Sequence, residues 1–309
     1  MNDLQWERST PLLKLDLPDI DRLLQEYDCQ LTADSCQPIG VGCRNTNYIV
    51  STSKGRLLLR FGVEHSNSES AAAALLHSHV AMPELFYKGT FSENPFYIYE
   101  YIEGISLQEH TSRRGICENA IIEQVAQNAA ALHSFDVGKV AAIGGFVPPP
   151  FETWFPSFLS NERARARLGN ELLARIYAVL ERHSSSIRLI ATMEQVPIHS
   201  DFRPANMLIT PAGKVYVVDW EGFGTGHALG DIGQFFRFRQ QFGRNSFDLF
   251  SQVYNGAAKQ PLPENWVVLA LLRDMVNPLQ MLGFEWNAPN AQADFTALLK
   301  QSVDYLSKV

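Results

Sequence analysis

Asp201, Asn206 and Asp219 carry side-chain oxygens at spacings that suit work on a phosphate, and all three fall within residues 197–231, PIHSDFRPANMLITPAGKVYVVDWEGFGTGHALGD. An amide oxygen and a carboxylate are hard donors of the kind Mg²⁺ takes when it is shared between one or two protein groups and substrate phosphates. Asp201 lies five residues before Asn206, close enough to receive the proton of a hydroxyl attacking a metal-held phosphate.

Those residues need a scaffold that brings them to one place. Met207-Leu208-Ile209 and Val215-Tyr216-Val217-Val218 are short apolar runs rich in β-branched residues, with the turn signal Pro211-Ala212-Gly213-Lys214 between them. The pattern predicts a β-hairpin. With Thr210 facing Val215, antiparallel pairing runs back until Asn206 faces Asp219, their Cα atoms about 4.5–5.5 Å apart. Each residue alone is most simply turn chemistry. As a set, with Asp231 downstream, they read as a metal–phosphate site with a base beside it. Protein kinases use the same parts: an Asp, an Asn five residues on, and a second Asp after the next strand.

His199-Ser200-Asp201, Asn206, Asp219-Trp220-Glu221 and Asp231-Ile232-Gly233 resemble the signature of the aminoglycoside phosphotransferase and choline kinase family. The resemblance implies an α+β, protein-kinase-like fold of two lobes. Residues 1–101 would form a nucleotide-binding N-lobe, a small antiparallel β-sheet with one helix, and residues 102–309 a larger, mainly helical C-lobe that holds catalysis and the acceptor. It also implies Asp201 as the catalytic residue, Asn206 and Asp219 as metal ligands, and ATP and Mg²⁺ as cofactors. By the same resemblance His199 is a structural loop residue and Asp231 braces the catalytic loop. The family's loop has Gly between His and Asp where this chain has Ser200, and Gly tolerates dihedrals that Ser does not.

Upstream, three antiparallel strands are expected, ending near residue 40 and covering residues 48–51 and 57–61, the last two joined at Lys54-Gly55. The first connection carries Gly40, Gly42 and Asn45, whose small size lets backbone N–H groups approach a triphosphate; a plain hairpin turn is the simpler alternative. GVGCRNTNYIV resembles the family's glycine-rich loop. Arg60 takes the strand position where kinases keep a phosphate-contacting Lys, and many family members resemble this chain in having Arg there. Residues 66–80 are Ala/Leu-rich and predict a helix, with Glu69 in its first turn as partner for Arg60 and Glu64 as the fallback. A favourable helix-dipole charge is the structural alternative for Glu69. His77 and His79 do not share a helix face and make no metal pair. Strands at residues 84–89 and 95–101 lead to a segment that resembles the family hinge, where backbone groups of Glu100 and Ile102 would hold adenine. Residues 1–35, a polar lead-in and a helix at 17–27, show no chemistry.

Beyond the hinge, helices are expected at residues 106–114 and 118–135, an ordered Pro/Gly-rich loop at 144–155, and a long helical stretch at 156–192. Phe235, Phe238 and Phe242 recur at helical spacing and read as core. C-terminal helices at 263–284 and 291–308 would wall the acceptor site, with Trp266, Asp274, Glu285 and Trp286 as candidates, each more simply a core or surface residue. Only residues 220–230 separate Asp219 from Asp231, and the chain has DWE where protein kinases have DFG and lacks APE. That leaves no peptide-docking segment and favours a small-molecule hydroxyl acceptor.

A net charge of −7 without a Lys/Arg-rich run excludes nucleic acid as an expected partner; it is compatible with a cationic acceptor, though simple solubility explains it as well. No apolar stretch reaches membrane-span length and no secretory leader is visible, so a cytoplasmic protein is expected. Cys29, Cys36, Cys43 and Cys117 form no CxxC pair and read as reduced thiols. The leading reading is an ATP- and Mg²⁺-dependent phosphotransferase of the aminoglycoside phosphotransferase type. Choline or ethanolamine, homoserine, methylthioribose and sugars stay open as acceptors. A different class, a catalytically silent nucleotide-binding module, is suggested by Ser200, Arg60 and the shortened glycine pattern. Hydrolase and P-loop motifs are absent.

Overall fold

The computed structural model describes residues 6–40, 42–62, 67–143 and 149–309. Its first half contains α1 (Leu17–Tyr27), β1 (Ala33–Ile39), β2 (Thr46–Thr52), β3 (Gly55–Phe61), α2 (Ser68–Leu76), β4 (Leu85–Phe91) and β5 (Asn94–Glu100). The five strands make one antiparallel sheet in the order β1-β2-β3-β5-β4. Strand alternation decides what each face carries. Tyr48, Val50, Leu59, Phe61, Phe96 and Ile98 share the face buried against Ile20, Leu23 and Leu24 of α1. The residues between them, Asn47, Arg60, Tyr97 and Tyr99, therefore occupy the other face, with Arg60 in register between Asn47 and Tyr97.

Local chemistry starts and turns these elements. The Asp16 side chain accepts from Asp19 N at 2.9 Å and Pro18 sits in the first turn of α1, both favourable helix openings. Ser92 and Glu93 take φ of 48° and 69° in the β4–β5 turn, the left-handed pair that a two-residue hairpin loop requires and that Asn-Gly more often supplies. The helix expected at 66–80 is the shorter α2; Ser66 and the fallback Glu64 lie outside the described residues.

The second half contains β6 (Ile105–Ser106), α3 (Leu107–Arg114), α4 (Asn119–His133), α5 (Val137–Ala141), α6 (Phe151–Leu159), α7 (Glu162–Arg182), α8 (Ser184–Thr192) and β7 (Val196–Ile198). It continues with β8 (Met207–Ile209), β9 (Val215–Val217), β10 (Gly224–Gly226), α9 (Ala228–Phe235), α10 (Ser246–Ala257), α11 (Trp266–Asp274), α12 (Val276–Gly283) and α13 (Pro289–Leu306). Its apolar core also takes in Ala72, Ala73 and Leu76 of α2, so the helix carrying Glu69 is packed toward the helical lobe. No helix among the described residues is long and apolar enough to cross a membrane.

Three expectations need correction. Of the loop expected at 144–155, residues 144–148 lie outside the description, and the end of it begins α6, which continues through Pro156. Phe151 and Phe155, one turn apart and both buried, explain why: their packing outweighs the lost hydrogen bond at Pro156. The stretch at 156–192 is three helices, broken where Asn161 Oδ1 accepts from Ala164 N at 3.1 Å and again at His183, and Gly169 (φ 72°) interrupts α7. Phe235 ends α9, so Phe238 and Phe242 are not on its helix; the rings of Phe235, Phe236 and Phe242 nevertheless meet at centroid distances of 4.7–5.2 Å.

Candidate active site

β7 and β10 pair antiparallel, Ile198 opposite Gly224, and this sets residues 199–206 beside residues 219–223. Asp231, in the first turn of α9 and fully buried, accepts from His199 N at 2.7 Å and Ser200 N at 2.9 Å. The His199 ring is held on both nitrogens. Nε2 donates to Val218 O at 3.0 Å and Nδ1 accepts from Asp201 N at 3.2 Å, so the imidazole organises the loop and has no nitrogen left for proton transfer. Ser200 takes the left-handed conformation that suits Gly, with φ 68°. Hydrogen bonds hold it there: its hydroxyl donates to Gly222 O at 2.8 Å, and Gln234 Nε2 donates to Ser200 O at 2.8 Å.

Asp201 and Asn206 form a bonded pair. Asn206 Nδ2 donates to Asp201 Oδ2 at 2.7 Å and to Asp201 O at 2.9 Å, which leaves Asn206 Oδ1 as the atom available to a cation. Arg203 Nε donates to Asp201 Oδ2 at 3.0 Å. Burial pushes the Asp201 carboxyl up, but the charge and hydrogen bond of Arg203, with the charge of Arg237, outweigh it and hold the group below its ordinary value. Asp201 is therefore a carboxylate at neutral pH.

The hairpin forms, but one residue out of the expected register. Met207 pairs with Val217 and Ile209 with Val215. Thr210 N donates to Lys214 O at 3.0 Å, and Gly213, at φ 80°, donates to Thr210 O at 2.8 Å. The loop is thus the three residues Pro211-Ala212-Gly213, closed by a left-handed Gly. Asn206 consequently faces Val218, whose N–H it accepts at 2.9 Å, and Asp219 lies one residue further on. Asp219 leaves the strand line with φ 70° and ψ 60°, a costly conformation for a non-glycine residue, and there its carboxylate meets Arg60.

Arg60 is the centre of a second cluster. Its Nε lies 2.9 Å from Glu69 Oε1, an ion pair without hydrogen-bond alignment, and one terminal nitrogen contacts both Asp219 Oδ1 and, at 3.3 Å, Glu221 Oε2. Tyr99 OH donates to Glu69 Oε1 at 2.8 Å and Asn45 Nδ2 donates to Glu221 Oε2 at 2.6 Å. Burial opposes the Arg60 charge, but the fields of Asp219, Glu69 and Glu221 reverse that and raise its pKa. Two of the carboxyls are raised as well. Glu69 is raised first by burial, against the pull of Arg60, and Glu221 first by burial and then by the charge of Asp219. Among the described residues no group of three or more His, Cys, Asp or Glu is placed to hold a metal ion by itself; Asn206 Oδ1 and the Asp219 carboxylate are hard oxygen donors of the kind Mg²⁺ takes when phosphates and water complete its shell.

The expected site residues thus fall into groups. Asn45, Arg60, Glu69 and Asp219 are joined in one network, and Asp201 and Asn206 form the adjoining pair. Gly40 and Gly42 lie in the β1–β2 connection, Gly42 at φ 110°. Glu100 closes β5, where its N–H donates to Glu84 O at 2.9 Å, and Ile102 follows, largely buried. Among the acceptor candidates, Trp266 is core, Asp274 is buried against Arg237 at 2.6 Å, and Glu285 pairs with Arg163 at the surface. Arg203 and Tyr99 lie outside the motifs legible in the sequence, whereas Glu221 stands there only as the last residue of Asp219-Trp220-Glu221. Glu221 had a signal in its adjacency to Asp219, and Tyr99 in its place on the same strand face as Tyr97.

A family model described as the phosphotransferase enzyme family matches residues 35–269. Among solved structures, the GDP complex of aminoglycoside 2'-phosphotransferase-IIIa is similar at TM-score 0.73 and 14% identity, covering 94% of this chain and 99% of that one. A thermostable mutant of aminoglycoside phosphotransferase APH(4)-Ia, in ternary complex with AMP-PNP and hygromycin B, is similar at TM-score 0.67 and 15% identity over 94% and 97%. Spectinomycin phosphotransferase APH(9)-Ia, in complex with ADP and spectinomycin, is similar at TM-score 0.63 and 11% identity over 95% and 98%. No curated protein matches by sequence. These likenesses carry the protein-kinase-like fold, and the model match, spanning most of the chain, carries the assignment: this chain belongs to the phosphotransferase enzyme family and is a small-molecule kinase.

Proposed function

We propose that the protein transfers the γ-phosphoryl group of ATP to a hydroxyl of a small molecule, with Mg²⁺. The observation that carries this reading is the bonded pair Asp201–Asn206 set one residue from Asp219, which shares Arg60 with Glu69 and Glu221. In this scheme the acceptor oxygen bonds to the γ-phosphorus as the bridging P–O bond breaks and ADP leaves. The acceptor's proton passes to Asp201. Asn206 Oδ1 and Asp219 would hold Mg²⁺, which when bound neutralises phosphate charge. Arg60 contacts phosphate oxygens, positioned by Glu69. The connection of Gly40, Gly42 and Asn45 covers the phosphates, and the backbone at Glu100 and Ile102 receives adenine. Catalysis on this scheme is positioning and electrostatics, as a loose transition state needs little covalent help.

Residues 1–101 and 102–309 are the proposed nucleotide and acceptor lobes, and the cytoplasm, where ATP is abundant, the proposed location. The nucleotides and antibiotics held by the similar structures support nucleotide use and an aminoglycoside-like acceptor. Choline, ethanolamine, homoserine, methylthioribose and sugars are the alternatives within the same chemistry. A silent nucleotide-binding module is opposed by the intact Asp201, Asn206 and Asp219 set.

The test is acceptor-dependent release of ADP from Mg-ATP, or of GDP from Mg-GTP, across aminoglycosides, choline, ethanolamine, homoserine and methylthioribose, beside Asp201→Asn. A product signal lost in the variant supports the kinase and names its acceptor class. Mg-ATP binding without turnover of any acceptor favours the silent module, and absence of nucleotide binding removes the reading.

A further inference from the structure

The polar lead-in before α1 lies against both halves of the reaction centre. The Arg8 guanidinium donates to Gly42 O through one terminal nitrogen and, through the other, to Arg44 O at 3.2 Å and Asn45 O at 2.9 Å. Ser9 N donates to Cys43 O at 2.9 Å. Every carbonyl from Gly42 to Asn45 therefore accepts from this segment. In a planar trans peptide the C=O and the following N–H point opposite ways, and the described residues contain no cis bond. Holding the four carbonyls thus fixes the peptide planes of the loop, and with them the directions of its N–H groups.

At its other end the same segment is fixed to the helical lobe. Glu7 accepts from Asn290 N at 3.1 Å and Ala291 N at 3.5 Å, N–H groups in the first turn of α13 that have no partner within the helix. Trp6 Nε1 donates to Asp294 Oδ2 at 2.9 Å, and the Trp6 ring packs on Phe295 at 4.9 Å. The Arg203 guanidinium lies over the Trp6 ring, 5.4 Å from its centroid, while Arg203 Nε donates to Asp201.

We propose that residues 6–9 are a positioning strap of the reaction centre: Arg8 and Ser9 hold the residue 42–45 loop in its phosphate-accepting form, and Trp6, through Arg203, orients Asp201. This rests on reading that loop as the nucleotide's phosphate loop. A glycine-containing loop otherwise loses conformational freedom when phosphate binds; the strap removes that freedom beforehand. Arg suits the task because its planar fork spans several carbonyls at once, which a Lys ammonium cannot do in the same geometry.

Equilibrium binding of Mg-ATP and of adenosine to the full chain, Arg8→Ala and Arg8→Lys separates the contributions. Both variants should bind Mg-ATP at least ten-fold more weakly while adenosine affinity stays within two-fold, because only the phosphates meet the loop. A wild-type preference for Mg-ATP over adenosine that survives in Arg8→Ala overturns the strap and leaves the kinase reading standing, as does a parallel loss of both ligands. A wild-type protein that binds Mg-ATP no better than adenosine removes the phosphate loop and the strap together. At the catalytic end, Trp6→Ala should lower kcat five- to twenty-fold with a smaller change in KM for ATP, and Trp6→Phe should restore it. Wild-type kcat in Trp6→Ala overturns the link to Asp201.

Discussion

Ser200 and Gly222 fit only as a pair: a β-carbon at residue 222 would land on the Ser200 hydroxyl, which donates to the Gly222 carbonyl at 2.8 Å. This joins the catalytic loop to the segment that follows Asp219. Gly222→Ala should expel the hydroxyl, cost about 1–3 kcal/mol as an overpacking change, and slow turnover. Ser200→Gly should be near neutral, because relief of a left-handed backbone, about 1–2 kcal/mol, offsets one lost hydrogen bond. In that background Gly222→Ala should cost less. Denaturation midpoints of the four proteins check this, and equal costs in both backgrounds would break the pairing.

Asp231 spends its carboxylate on the His199 and Ser200 N–H groups and also lies 3.3 Å from His133 Nε2. An amide in its place keeps one acceptor oxygen and sets an N–H₂ against a backbone N–H. Asp231→Asn should therefore destabilise by about 1–3 kcal/mol and lower kcat at least ten-fold with little change in KM for ATP. Steady-state kinetics beside urea denaturation would show it. Wild-type kcat in a destabilised variant would confine Asp231 to folding.

The parts of this site that were legible in the sequence are those whose chemistry restricts residue type at fixed spacing. Asp201, Asn206, Asp219 and the Arg60–Glu69 pairing belong to that class. The hairpin's existence was legible in its apolar runs, but its register was not. Whether Thr210 meets Val215 or Lys214 depends on Gly213 taking a left-handed φ, which composition alone does not state. Helix α6 was obscured by the prolines around it, since the packing of Phe151 and Phe155 decides it from a distance. The Arg8 contacts were invisible, because they join a featureless segment to a loop more than thirty residues away with no periodicity to mark either.

Arg60 balances Glu69, Asp219 and Glu221 from a side chain that is only 9% exposed. Removing it leaves the buried Glu69 without its cation, so Arg60→Ala should cost about 3–5 kcal/mol and raise KM for ATP more than ten-fold. Arg60→Lys keeps the charge but cannot reach Glu69 with one nitrogen and Asp219 with another. It should fall between the wild type and Arg60→Ala in both measurements. Stability loss with an unchanged KM would take Arg60 out of the nucleotide site.

His227 supplies a pH dependence separate from the carboxylates. It is 6% exposed with Nδ1 unpartnered, and burial, then the charge of Arg273, push its pKa down to about 4. Above the unfolded value, about 6.5, the ring is neutral in both states and adds no pH dependence. As pH falls below that, the unfolded chain takes up a proton that the folded protein refuses until about pH 4. Folding stability should therefore decline from pH 6.5 toward pH 4, by up to roughly 3 kcal/mol from this group. His227→Gln should remove that slope between pH 7 and 5, leaving the acid loss caused by groups such as Asp201, whose lowered pKa places its contribution at more acidic pH. Urea denaturation at several pH values checks the difference between the two proteins. A slope unchanged by the substitution would assign the dependence to another group.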